Sequence, residues 1–240
     1  MATTGEEFYR LTKYSPERPT DYGPLPPAPL ETVALPKPRG KGRTDLAELL
    51  ASRRSRRRFT GEPIDIVELS FLAWAADGAA SAKLATRYRT APHAGHACPI
   101  ETYAAVMRVE GVEKGVYHYN VEEHALELLR KGDYEEAAVK ASAGQQWLRG
   151  SAVLFVWICE FARTTATYKD RGYRYVFIDA GHVCQNVYLA AESLGLGVTG
   201  IGALFDDEAN ALVGADGRER SILYMAAVGR PAPKPEGAAK

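Results

Sequence analysis

Eight consecutive apolar residues, Ala152 to Cys159, set the frame for this chain. Their length and their mix of β-branched and aromatic side chains predict a strand buried in the middle of a sheet. A long helix follows at Tyr173 to Leu194, where Val176, Ala180, Val183, Val187, Ala190, Ala191 and Leu194 recur every three or four residues, and Gly195 is placed to end it as a left-handed cap. Upstream, Thr44 or Asp45 can cap a helix carrying Leu46, Leu49 and Leu50, and a second helix is predicted over Asp65 to Ala76, stopping before Asp77-Gly78. Three short extended segments, 102–109, 115–120 and 125–129, read as a meander. The remaining expectations are helices at 133–143 and 206–213 and strands at 197–201 and 222–228. Strands and helices alternate irregularly, which predicts an α+β fold rather than a doubly wound sheet.

Residues 1–43 hold eight of the fourteen prolines and show no helical or strand periodicity, so they are expected to be disordered or to lie as an extended arm over another surface. Phe8, Tyr9 and Tyr14 favour the arm. The predicted organisation is an arm (1–43), one folded domain (44–231) and a short tail (232–240). With 30 basic and 30 acidic side chains the protein is not built as a general polyanion binder, which would carry a basic excess. No apolar run approaches the ~18 residues of a membrane span, and Met1 to Arg10 lacks a signal-peptide core. Three widely spaced cysteines fit a reducing compartment, and a cytoplasmic location is expected.

Within this neutral chain, Arg53-Arg54-Ser55-Arg56-Arg57-Arg58-Phe59 concentrates five guanidinium groups. Forked donors beside a hydroxyl suit a phosphate. A solvated charge run and a nucleic-acid patch are the competing readings. Gly195, Gly197 and Gly200 spell G-x-G-x-x-G, but a helix precedes them and a strand follows, the reverse of a dinucleotide-binding fingerprint. His93, His96 and Cys98 are spaced like part of a metal site without the tight pairing zinc requires, and no metal is expected.

Taken together, these motifs resemble the flavin-dependent nitroreductase family. Arg53, Ser55, Arg57 and Phe59 match its Arg-x-Ser-x-Arg-x-Phe signature, and Pro92-His93-Ala94-Gly95 stands where the family has a Pro-Ser-Ser/Ala-Gly segment. Gly200-Ile201-Gly202 matches its flavin-edge loop, and Val228-Gly229-Arg230-Pro231 its C-terminal strand end. The resemblance is closer still to the SagB-type azoline-dehydrogenase branch, through Phe8 to Tyr14, Arg171-Gly172-Tyr173-Arg174-Tyr175 and Ala180-Gly181-His182-Val183. Where that branch has a Lys-Tyr pair before the Arg-Gly-Tyr segment, this chain has Thr167-Tyr168.

The resemblance implies an α+β fold with a central mixed or antiparallel sheet flanked by helices, in an intertwined homodimer with FMN at the interface. It implies that Arg53, Ser55 and Arg57, with Arg54 in the same segment and Arg230 returning from the C-terminus, hold the phosphate. Pro92, His93, Ala94 and Gly95 would pack along the flavin from the partner subunit, which the arm would wrap. Gly200, Ile201 and Gly202 would meet the ring edge. Tyr168 is the candidate catalytic residue, with His93 and Tyr173 as further pocket candidates. The implied reaction moves hydride from NAD(P)H through FMN to a small electrophile. Oxidation of a thiazoline or oxazoline in a modified peptide is the alternative, and polyanion or nucleic-acid binding by the arginine segment a second one. The expected partners are a second copy and a small molecule or modified peptide, not nucleic acid or membrane.

Overall fold

The computed structural model describes residues 3–13, 19–40 and 45–233; Tyr14, Thr44 and the tail from 234 onward lie outside them. In chain order the elements are α1 (Thr4–Thr12), β1 (Glu31–Ala34), α2 (Leu46–Ser52), α3 (Ile66–Asp77), β2 (Ile100–Val106), β3 (Gly115–Asn120) and β4 (Ala125–Lys131). They continue with α4 (Glu135–Ala141), β5 (Val153–Glu160), α5 (Phe161–Tyr168), α6 (Arg171–Ser193), β6 (Gly197–Ile201), α7 (Asp206–Val213) and β7 (Arg220–Gly229). The seven strands form one sheet in the order β1-β4-β3-β2-β5-β7-β6, every neighbouring pair antiparallel. The α+β architecture is as expected.

The apolar run explains why the sheet sits where it does. Alternate residues of a strand face opposite sides. Val153, Phe155 and Trp157 of β5 pack with Leu69 and Leu72 of α3 and Val183 and Val187 of α6. Leu154, Val156 and Ile158 face the other way, onto Val139 of α4 and Leu212 of α7. Because helices cover both faces, β5 needs apolar residues at every position. The stripe read from α6 is buried from Val176 to Ala191, Leu194 is half-buried at the C-cap, and Gly195 follows at φ +72°. Cys98, Cys159 and Cys184 are buried free thiols. Among the described residues no helix is long and apolar enough to cross a membrane.

One expectation is corrected, and one element was not foreseen. Residues 1–43 do contain regular structure: a capping box between Thr3 and Glu6 starts α1, and β1 pairs with β4. The arm has no core of its own and borrows one. Tyr9 is buried beside Phe161 and Tyr173, with its hydroxyl donating to Ile222 O at 2.6 Å, and the Arg130 guanidinium donates to the carbonyls of Tyr22 and Gly23. These anchors lie on the arm's own chain. The element not foreseen is α5, which sequence periodicity did not show. Its three threonines disfavour a helix on propensity, but Phe161 stacks on Tyr173 at 4.7 Å and Arg163 donates to Cys98 O and pairs with Glu101.

Candidate active site

Asp45 caps α2 by accepting from Glu48 N, and the helix ends at Ser52. From there the arginine segment runs along the outer edge of β6 and past the end of β7. Ser55 bridges Val198 in parallel, Arg56 N donates to Val198 O at 2.9 Å, Thr199 Oγ1 donates to Arg56 O at 2.7 Å, and Phe59 bridges Pro231.

This placement divides the cations. Arg56 pairs with Glu192 at 3.3 Å, and Arg54 turns back to donate to the carbonyls of Ala51 and Arg53. Arg53 instead lies over the Tyr188 ring at 5.2 Å and Arg57 over the Trp147 ring at 6.0 Å. Among the described residues no carboxylate pairs with Arg53 or Arg57. Aromatic faces orient a guanidinium without neutralising it. Ser55 Oγ lies 2.9 Å from the Tyr188 hydroxyl, on the same ring that Arg53 covers.

Arg230 comes near this segment but is engaged. Its two terminal nitrogens donate to both oxygens of Glu68, at 3.0 and 2.8 Å, and its Nε donates to Pro63 O. Glu68 also closes the capping box of α3 with Asp65.

Gly200 and Ile201 form the end of β6, paired with Ala226 and Met225, so the anticipated loop is a strand terminus with Gly202 as the first exposed residue beyond it. Gly200 N donates to the Tyr188 hydroxyl at 2.7 Å. A Cβ at Gly200 would collide with the Tyr224 hydroxyl and come within 3.2 Å of Cys184 Sγ, so only glycine fits. Burial pushes the Cys184 thiol up to about 12, which keeps it protonated.

The second group of candidates packs against another part of α6, through Asp179. His93 is buried between two carboxylates, with Nε2 2.7 Å from Asp77 Oδ1 and Nδ1 3.5 Å from Asp179 Oδ2, while Arg89 reaches Asp77 at 3.6 Å. Ala94 N donates to Asp179 at 3.1 Å. Gly95, at φ +59°, leaves room for the Tyr168 hydroxyl, which a Cβ there would meet at 2.5 Å. Tyr168 stands edge-on to Tyr175 at 5.0 Å. Tyr173, the other tyrosine singled out, is buried against Phe161 and Gly5. Asp179 and Tyr188 are nine residues apart on one helix, about 13 Å at ~1.5 Å per residue. Within one chain, then, the 92–95 segment with Tyr168 and the Arg-Ser-Arg segment with Gly200 form two separate clusters.

Burial disfavours a charged His93, but hydrogen bonds to Asp179 and Asp77 outweigh it and raise its pKa from 6.5 to about 9. The folded value lies above the unfolded one, so the stabilisation is complete below pH ~6.5 and is lost as pH rises through 9, on the order of 3 kcal/mol in all. The difference in unfolding free energy between wild type and His93→Gln should therefore shrink across that window. A constant difference would show that His93 does not titrate there.

Tyr188, Trp147, Glu68, Asp77 and Asp179 were not singled out from the sequence. Asp179 had a signal: a carboxylate on the stripe of Val176, Ala180 and Val183 must be buried and so must have a partner. Tyr188 had none, being one residue beside that stripe.

A family model described as the nitroreductase family matches residues 50–230. A provisionally named nitroreductase of Methanocaldococcus jannaschii is 36% identical over 180 residues, covering 75% of this chain and 88% of that protein. The trifolitoxin-processing protein of Rhizobium leguminosarum bv. trifolii is 33% identical over 113 residues, 45% of this chain and 30% of that one. Among solved structures, a provisionally named nitroreductase from Anabaena variabilis superposes with a TM-score of 0.71 at 27% identity, over 94% of this chain; the chain spans about half of it, 47%.

Proposed function

The chain belongs to the nitroreductase family, and from that premise we propose that it is an FMN-dependent oxidoreductase passing hydride from NAD(P)H to a small electrophilic acceptor. The observation that carries this reading is the division of the arginine segment. Among the described residues Arg53 and Arg57 have no carboxylate partner, whereas Arg54 and Arg56 are occupied, and two such guanidinium groups match the double negative charge of a terminal phosphate.

FMN, when bound, supplies the two-electron chemistry, and the chain's own residues bind and orient it. Arg53, Ser55 and Arg57 would hold the phosphate. Arg54 and Arg230 would join them only by leaving their present partners, the carbonyls of Ala51 and Arg53 and the Glu68 carboxylate. The Gly200 amide is given to Tyr188, so a backbone donor to the ring edge, which would stabilise negative charge there, would come from beyond it, towards Gly202. Pro92 to Gly95 and Tyr168, set apart along α6, serve the site of a second copy in a homodimer. The exposed face of α6, with Phe177 (37% exposed), Ile178 (51%), Gly181 and Gln185, is the surface that copy covers. The Tyr168 hydroxyl would give or take the proton that accompanies the two-electron chemistry.

The test is the visible spectrum of the purified protein. One FMN per chain is expected, bleached by NADH or NADPH and restored by an electrophile. Tyr168→Phe should keep the flavin and slow turnover by about 10²-fold, the size of general acid–base assistance; unchanged turnover with every acceptor would remove Tyr168 from the mechanism. A colourless protein that takes up no added FMN would sink the proposal, and salt-dependent nucleic-acid binding by such a protein would assign the arginine segment to a polyanion.

A second reading is favoured by the likeness to the trifolitoxin-processing protein and by the SagB-type blocks: oxidation of an azoline in a modified peptide. Bleaching of the flavin by an azoline-bearing peptide, with oxygen restoring the colour, would select it.

A further inference from the structure

One side chain links three members of the phosphate-side cluster, Arg53, Ser55 and Gly200. The Tyr188 ring lies under Arg53, and its hydroxyl meets both Ser55 Oγ and Gly200 N. Its neighbour Val187 is fully buried, so the backbone that carries it is fixed. We infer that Tyr188 is a positioning residue that aims the Ser55 hydroxyl at the phosphate; this rests on the FMN reading above.

Gly200 N–H can only donate, so the Tyr188 oxygen accepts there and keeps its own proton free. At 2.9 Å from Ser55 Oγ, either hydroxyl can be the donor. If Ser55 donated to Tyr188, it would turn lone pairs towards an anion. If Tyr188 donates, Ser55 keeps its proton for the anion, and the chain runs one way: Gly200 N–H to Tyr188 O–H to Ser55 O–H to phosphate oxygen. Each bond polarises the next, so the amide at the end of β6 strengthens the serine as a donor. The same contact couples the phosphate grip to the strand end that faces the flavin ring.

The experiment compares FMN with riboflavin, which lacks the phosphate, on flavin-stripped wild type, Tyr188→Phe, Ser55→Ala and the double variant. Dissociation constants are read by quenching of flavin fluorescence. Phenylalanine keeps the ring beneath Arg53 and removes only the hydroxyl. Tyr188→Phe should weaken FMN about 5- to 30-fold, as loss of one hydrogen bond to a charged group does, and riboflavin by no more than about twofold. In the Ser55→Ala background the same change should have no added effect, because the two act as one chain. Equal losses for both ligands, an additive double variant or unaltered FMN affinity would each overturn the inference while leaving FMN binding intact. If wild type takes up no flavin, the functional reading and this inference fall together.

Discussion

Replacing both Arg53 and Arg57 by alanine is expected to raise the FMN dissociation constant by about 10²- to 10⁴-fold, the sum of two charge-assisted contacts at ~1.5–3 kcal/mol each. Arg53 should account for more than half of it, because it is half-buried over Tyr188, where water screens it less than the exposed Arg57. The informative comparison is with Arg54→Ala, whose guanidinium is turned towards the carbonyls of Ala51 and Arg53 and should change affinity by no more than a few-fold. Flavin fluorescence titrations at two salt concentrations check both points, and the slope with salt should flatten in the double variant. Stoichiometric FMN on the double variant, or an equal loss from Arg54→Ala, would mean that the cations were wrongly divided.

Asp77→Ala is expected to cost about 3–5 kcal/mol of stability, the cost of leaving a buried charge without its partner. Asp77 is 1% exposed and faces two cations; its loss would leave His93 with Asp179 alone and Arg89 with backbone carbonyls in place of a carboxylate. For a chain of this length the melting temperature should fall on the order of 10 °C. Thermal and urea unfolding measure the loss. Adding His93→Ser to Asp77→Ala should recover part of it, since one of the two cations is then gone, so the double variant should be more stable than the sum of the single effects. A cost under about 1 kcal/mol would mean that the aspartate does not hold the 92–95 segment. The consequence reaches function, because Asp77, His93 and Asp179 together tie that segment, and with it the Gly95–Tyr168 contact, to α3 and α6.

Much of the fold was legible in the sequence because its signals are short-range. The β5 run, the α6 stripe with Gly195 behind it, and the Asp65 cap of α3 are each written within one element and need nothing from the rest of the chain. The arginine segment was legible for the same reason, as donors concentrated within seven residues. The helix in the arm and α5 were not, since neither has enough apolar periodicity alone: α1 is held through Tyr9, and α5 through Phe161 and Arg163.

The sequence by itself determined the layered α+β architecture and the residue types gathered for an anion. Only the tertiary structure decided which of those residues are free to bind one. Arg230 is engaged because Glu68, 162 positions away, lies beside it, and Arg56 because α6 brings Glu192 to it. Arg53 and Ser55 are organised by Tyr188, 133 positions from Ser55. His93 became a buried ion-pair partner because α3 and α6 bring Asp77 and Asp179 to opposite sides of its ring. The physical reason is common to all of these: a charge takes whichever partner the packed chain brings within about 4 Å, and which partner that is follows from how the sheet and helices close, not from local sequence.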